Sequence, residues 1–358
     1  MRRLLACSFI FGLASACSPA SKTTAAPSEV APSSESQVAE CGDAEGFDSM
    51  ARRPRVEAVG AQAASSNGDF VIWWSRVERG LEEARRAHTN SWGVGCSEAG
   101  ADPVAWTRVR ACLDRAGIRL DAELGVLVER LEARPDSFVD ARLWSWSLAA
   151  PFEACASAAH REGSPPLAGA QLETQARLAL QGLEGAWAWA RLGDYARAER
   201  ELASLEERVR GAGDPPSVFS AHLLRGYLAL ARGELAEAEA QFAPLSALAK
   251  TLGASASFSL AFFRGTATTI AGDDRAAEAS FEQAARLAAQ MAEQGASNYE
   301  LEVAEAELRA AQARWRMGAA DAQRSAQAAW KRAEAILDPE DPRRGDYLEA
   351  LSQMGGGP

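Results

Sequence analysis

Apolar and polar positions alternate with helical spacing over four long stretches in the first half of the chain, 47–64, 69–90, 104–132 and 137–159. Asn67-Gly68 is a turn signal between the first two stretches. Pro135-Asp136-Ser137 breaks the second pair, and Ser137-x-x-Asp140 is a start of the capping-box kind. The pattern predicts two antiparallel helix hairpins.

The second half repeats itself. "GAWAWARLGDYARAEREL" (185–202), "RGYLALARGELAEAEAQF" (225–242) and "RGTATTIAGDDRAAEASF" (264–281) align on Gly193, Gly233 and Gly272, at intervals of 40 and 39. Seven residues before each glycine stands a small residue (Ala186, Gly226, Gly265) and five after it an alanine (Ala198, Ala238, Ala277). Nine after it comes a large apolar residue, Leu202, Phe242 or Phe281. Small residues let two helix backbones approach, and the glycine allows the chain to turn between them. A degenerate fourth unit has Gly318 in the turn and Ala326 and Trp330 on its second helix, and "DPEDPRRGDYLEALSQM" reads as a cap. These positions resemble those of the tetratricopeptide repeat, whose period is about 34 residues. The longer interval is expected to lengthen the second helix or its loop, and Pro215-Pro216 marks one inter-repeat loop. The expected fold is all-α, with antiparallel helical hairpins forming a TPR-like right-handed solenoid.

The first 40 residues follow a different pattern. Arg2 and Arg3 precede "LLACSFIFGLASA", an apolar run too short to span a bilayer and laid out like a signal peptide. Ala14-Ser15-Ala16 before Cys17 resembles the lipobox of bacterial lipoproteins, with Leu13 one place further out than usual. The resemblance implies acyl chains on Cys17, an anchor that one chain alone would supply only marginally. "SPASKTTAAPSEVAPSSESQVAE" (18–40) has no aromatic residue and no Leu, Ile or Phe, and is read as a disordered tether reaching roughly 25–30 Å. The expected organisation is 1–16 signal peptide, 17–40 lipidated cysteine and tether, 41–160 a disulfide-braced helical part, and 167–358 the repeat domain with its cap.

Removing residues 1–16 leaves 36 Lys+Arg against 49 Asp+Glu, a net charge of −13. An acidic chain without a basic patch argues against nucleic acid as a partner and against adhesion to anionic lipid. Four cysteines remain: Cys41, Cys96, Cys112 and Cys155. None is spaced C-x-x-C, and His88, His160 and His222 cluster with nothing in sequence, so no metal site is expected. In an oxidising envelope an even number suggests disulfides. Cys41 and Cys96 lie 26 and 29 residues either side of Asn67, and Cys112 and Cys155 lie 23 and 20 either side of Pro135. Equidistance across a hairpin favours Cys41–Cys96 and Cys112–Cys155, each closing a loop worth about 4 kcal/mol of chain entropy.

The segment before the repeats contains "WWSRVERGLEEARRAHTNSWGVGCSEA", "TRVRACLDRAGIRLDAELGVLVERLE" and "VDARLWSWSLAAPFEAC". With His88, Trp92, Cys96, Ala111-Cys112-Leu113-Asp114-Arg115, Pro151 and Cys155, it resembles the extracytoplasmic region that precedes tetratricopeptide repeats in large myxobacterial-type serine/threonine kinases. The chain has no kinase domain: it lacks the glycine-rich phosphate loop, V-A-I-K, H-R-D and D-F-G. The resemblance implies a sensor-like or scaffold-like helical module.

No H-E-x-x-H, G-x-S-x-G or Walker loop occurs, so no catalytic residue, cofactor or metal ligand is nominated. Tryptophans pair locally at 73/74, 144/146 and 187/189; members two apart lie on opposed flanks of a helix, so at most one of each such pair is expected to be deeply buried. By analogy with tetratricopeptide grooves, the partner-binding candidates are Trp187, Arg191, Tyr227 and Phe262, an aromatic and arginine set suited to a peptide. The first functional expectation is a non-enzymatic envelope lipoprotein that binds an envelope protein or peptide through this groove and meets the membrane only through its lipid. The alternative is a receptor for a small molecule or cell-wall fragment in an aromatic pocket near Trp144 and Trp187; a third is an unrecognised enzyme. Ser18 in place of aspartate after Cys17 points to the outer membrane, facing the periplasm.

Overall fold

A computed structural model describes residues 53–64, 68–99, 103–133, 148, 150–156, 170–294, 299–337, 339, 341 and 343–355. The expectations for the signal peptide, Cys17, the tether, Cys41, Trp144, Trp146 and His160 lie outside the described residues. The described chain is all-helical: α1 (Arg53–Ala64), α2 (Gly68–Ala99), α3 (Pro103–Ala133), α4 (Ala150–Ala154), α5 (Ala170–Arg191), α6 (Tyr195–Ala212), α7 (Pro215–Arg232), α8 (Leu235–Phe242), α9 (Leu245–Leu252), α10 (Ala254–Ala271), α11 (Asp274–Glu293), α12 (Tyr299–Arg316), α13 (Ala322–Ile336) and α14 (Arg343–Gln353). None of these helices is long and apolar enough to cross a membrane.

The turn chemistry is written locally. Gly193, Gly233, Gly272 and Gly318 all take positive φ, between 76° and 81°, where an L side chain would be strained. Three aspartates cap the following or neighbouring helix: Asp194 accepts from the Arg197 amide, Asp214 from Ser217 and Asp273 from Ala276. Glu234 occupies the same place before α8 and makes no side-chain cap.

Packing follows the repeated small and large residues. Ala186, Ala198, Ala238, Ala277 and Ala326 are fully buried. The Phe242 ring fills the place where a side chain on Gly226 would stand, and a Cβ on Gly265 would come within 2.8 Å of the Phe281 ring. Neighbouring helices pack in chain order, α5 on α6, α7 on α8, α10 on α11, α11 on α12 and α12 on α13. One buried core runs from Val56 to Ala267, and two further clusters continue it to Met354. The division expected between 160 and 167 falls among residues outside the description, and α3 packs directly on α5 across it.

Three elements differ from the sequence reading. The helix expected over 69–90 continues to Ala99, because Gly95 sits against Val109 and turns a potential break into a close approach of α2 to α3. The second helix of the second repeat is divided at Pro244, which can neither donate to nor fit inside a continuous helix. Cys112 and Cys155 form a disulfide with a Cα–Cα distance of 5.7 Å. Their pairing is as expected, but Cys155 lies in the turn just after the five-residue α4, where a helix over 137–159 was predicted.

Candidate binding pocket

Five long helices turn one stripe each toward a shared cavity of about 320 Å³, which Pro151 of the short α4 also lines. From α3 come Cys112, Arg115, Ala116 and Arg119; from α5 Leu180, Glu184, Trp187 and Arg191. These spacings of three and four place each set on a single helix face. Helix α7 contributes Phe219, Ser220, Leu223 and Tyr227, α10 contributes Ser255, Phe258, Ser259 and Phe263, and α12 contributes Tyr299 and Glu302. The volume is that of a small-molecule site, with apolar walls and a few placed polar groups.

The aromatic wall has two parts, one around Trp187 and one around Phe258. Trp187 stacks on Tyr227 with centroids 5.7 Å apart, Phe263 lies 6.0 Å from Trp187 and 5.8 Å from Tyr227, and Phe258 meets Tyr299 edge-on at 6.0 Å. Hydrogen bonds fix the rings: Trp187 Nε1 donates to Ser220 Oγ at 2.9 Å, and the hydroxyls of Ser255 and Tyr299 share a bond of 2.8 Å. Burial pushes the Tyr299 phenol up to about 12 and raises that of Tyr227 further, so both remain neutral at physiological pH.

Beside this wall lies a paired ionic cluster. Arg191 bonds Glu123, Arg119 Nε donates to Glu123 Oε1 at 2.9 Å, and Arg119 reaches Glu184 at 3.9 Å. Burial pushes the Glu123 carboxyl up, but Arg191 and Arg119 outweigh it and hold the group below its ordinary range. For Glu184 burial wins and the carboxyl is raised. Arg115 holds Asp214 at 2.9 Å, linking α3 to the cap of α7. Burial likewise opposes Asp214 ionisation, but Arg115 and Ser217 prevail and lower its pKa.

Of the four groove candidates, the structure brings Trp187, Arg191 and Tyr227 into the cavity wall. Phe262 is 4% exposed and packs instead against Phe258 and Phe281. Its neighbour Phe263 takes the wall position. Trp189, two residues from Trp187, is in the core on the opposite flank, while Trp73 and Trp74 are both buried. Cys112 of the disulfide lines the cavity, a role the sequence did not indicate, and Cys96 lies on α2, its expected partner Cys41 being outside the described residues. Arg115, Arg119, Tyr299 and Glu302 were missed. The signal for Glu302 is positional: Tyr299, Val303, Ala306 and Ala310 form the buried stripe of α12, and an acid at 302 falls on it. Among the described residues no group of three His, Cys, Asp or Glu side chains could hold a metal ion. The chain matches no family model, no curated protein and no solved structure.

Proposed function

We propose that the chain is a non-enzymatic receptor of the bacterial envelope, anchored by acyl chains on Cys17, that takes a small ligand with an apolar body into the aromatic pocket. The observation that carries this reading is the convergence of Trp187, Tyr227, Phe258 and Phe263, from three different helices, on one cavity of about 320 Å³. A non-catalytic role is supported by the state of its serines. Ser220 is bonded to Trp187, Ser255 to Tyr299, and Ser259 to the Ser255 carbonyl, so none is paired with a histidine or carboxylate base. A TPR-type solenoid is supported by the equivalent left-handed glycines and the buried alanines that follow them. A long open groove for a peptide has less in its favour, since Phe262 belongs to the core and Arg191 is engaged by Glu123.

The test is calorimetric titration of the full chain with a neutral aromatic probe, 2-phenylethanol. Binding that is lost in W187A and F263A, with unchanged helicity, is the expected result. No binding at millimolar probe, or binding indifferent to both changes, overturns the pocket as a ligand site. Metabolic labelling with an acyl precursor, lost in C17A, tests the anchor separately.

A further inference from the structure

Two carboxylates line the pocket, and only one of them, Glu184, has an arginine within 4 Å. Three arginines line it, and each faces an acid of its own: Arg115 faces Asp214, Arg191 faces Glu123, and Arg119 faces Glu184 as well as Glu123. Glu302 is left over. It is 3% exposed, it lines the cavity, and its Oε1 has no hydrogen-bond partner. A buried acceptor without a partner is costly and calls for a group that completes it. The charged and titratable groups around it are Tyr299 and Glu305 on its own helix, Arg119 from α3, and Arg343 and Tyr347 from α14. Arg343 is held by Asp341 at 2.6 Å, and Glu305 faces Arg309 at 3.5 Å.

We propose that the ligand is a primary amine with an aromatic or alkyl body, its ammonium donating to Glu302 Oε1 while the body lies against Trp187, Tyr227, Phe258 and Phe263. This rests on the pocket reading above and adds the charge of the ligand to it. The aromatic faces suit a cation as well as an apolar body, because a desolvated ammonium is drawn to the negative face of a ring. An anionic ligand has no free guanidinium to meet, since Arg115, Arg119 and Arg191 are all committed to carboxylates. The proposal has a protonic signature. Burial, reinforced by the Glu305 charge, keeps the Glu302 carboxyl protonated well above the usual carboxylate range. When an already protonated amine enters, the O–H bond of Glu302 breaks, the proton leaves to the buffer, and the carboxylate stays as partner of the ammonium.

The experiment compares three probes of one shape on the full chain at pH 7: phenethylamine, 2-phenylethanol and 3-phenylpropionate. Titration calorimetry in two buffers of different ionisation heat reads affinity and proton release together. The amine is expected to bind about tenfold or more tighter than the alcohol, with net release of protons. E302Q should keep alcohol binding, lose the preference for the amine and release no proton. Equal binding of amine and alcohol, tighter binding of the propionate, or amine binding without proton release overturns the role of Glu302 while the pocket reading stands. Failure of all three probes overturns both. The proton count in the unmodified protein decides the matter even if E302Q folds poorly.

Discussion

The Phe242 ring of α8 rests on the bare backbone of Gly226 in α7, and the ring is fully buried there. A methyl group at 226 has nowhere to go, because Phe242 is enclosed on its other sides by the core. G226A therefore gains helix propensity but loses more to overpacking. We expect a net destabilisation of about 1–3 kcal/mol. A smaller ring-side partner should recover part of it, so G226A/F242L is expected to be more stable than the sum of its parts. Denaturant unfolding of the four proteins of this cycle checks the coupling.

The Cys112–Cys155 bond closes a sequence separation of 43 residues and ties α4 to α3. The chain-entropy model assigns about 4 kcal/mol to such a loop. C112S/C155S should unfold at correspondingly lower denaturant concentration, and a reducing agent should lower the midpoint of the unmodified protein at least as far, since Cys96 is disulfide-bonded too. Because Cys112 is in the pocket wall, both treatments should also weaken probe binding.

Glu123 is the common partner of Arg119 and Arg191, which come from different helices, α3 and α5. E123Q keeps the shape and removes the charge, leaving two guanidinia in a poorly solvated place. The expected loss is about 3–5 kcal/mol at pH 7. Since its folded pKa lies below the ordinary value, the stability Glu123 contributes is present above the usual carboxylate range and disappears as the pH falls through the folded value. The difference between E123Q and the unmodified protein should therefore shrink on acidification.

Asp346 has the opposite sign. Burial, with the Glu305 charge beside it, raises its carboxyl from 3.8 to about 6. The folded state binds the proton more tightly than the unfolded chain, so folding is penalised as the pH rises through about 6. D346N, which imitates the protonated acid, should match the unmodified protein at pH 4. By pH 7 it should exceed it by about 1–2 kcal/mol, a figure reduced from the full shift because the group is partly in contact with solvent. Thermal unfolding of both proteins across this range tests the divergence.

Much of the helical framework was legible. Glycines at fixed offsets from alanines announced Gly193, Gly233 and Gly272 as turns, since a left-handed residue and a close crossing each admit few side chains. The Cys112–Cys155 pairing followed from the chain folding back, although the element carrying Cys155 did not. The pocket was half legible. Trp187, Arg191 and Tyr227 stand at repeat positions, so the repeat located them. Phe262 and Phe263 are adjacent apolar residues separated by about 100° around the helix, and nothing in an apolar pair tells which one faces a cavity and which the next hairpin. Arg115, Arg119 and Glu302 were hidden for another reason: they lie outside the aligned repeats, and charged residues on alanine-rich helices look like solvent-facing ones until the partner helices are in place.

The pocket draws its walls from residues as distant in the chain as Cys112 and Glu302. No shorter fragment carries the complete binding surface, so occupancy is a certificate of finished folding. A ligand seated there acts as a clasp on five helices, and by mass action it lends its binding free energy to all of them together. Saturating ligand should thus protect the amides of α3 and α12 from exchange to the same degree, though they lie far apart in the chain.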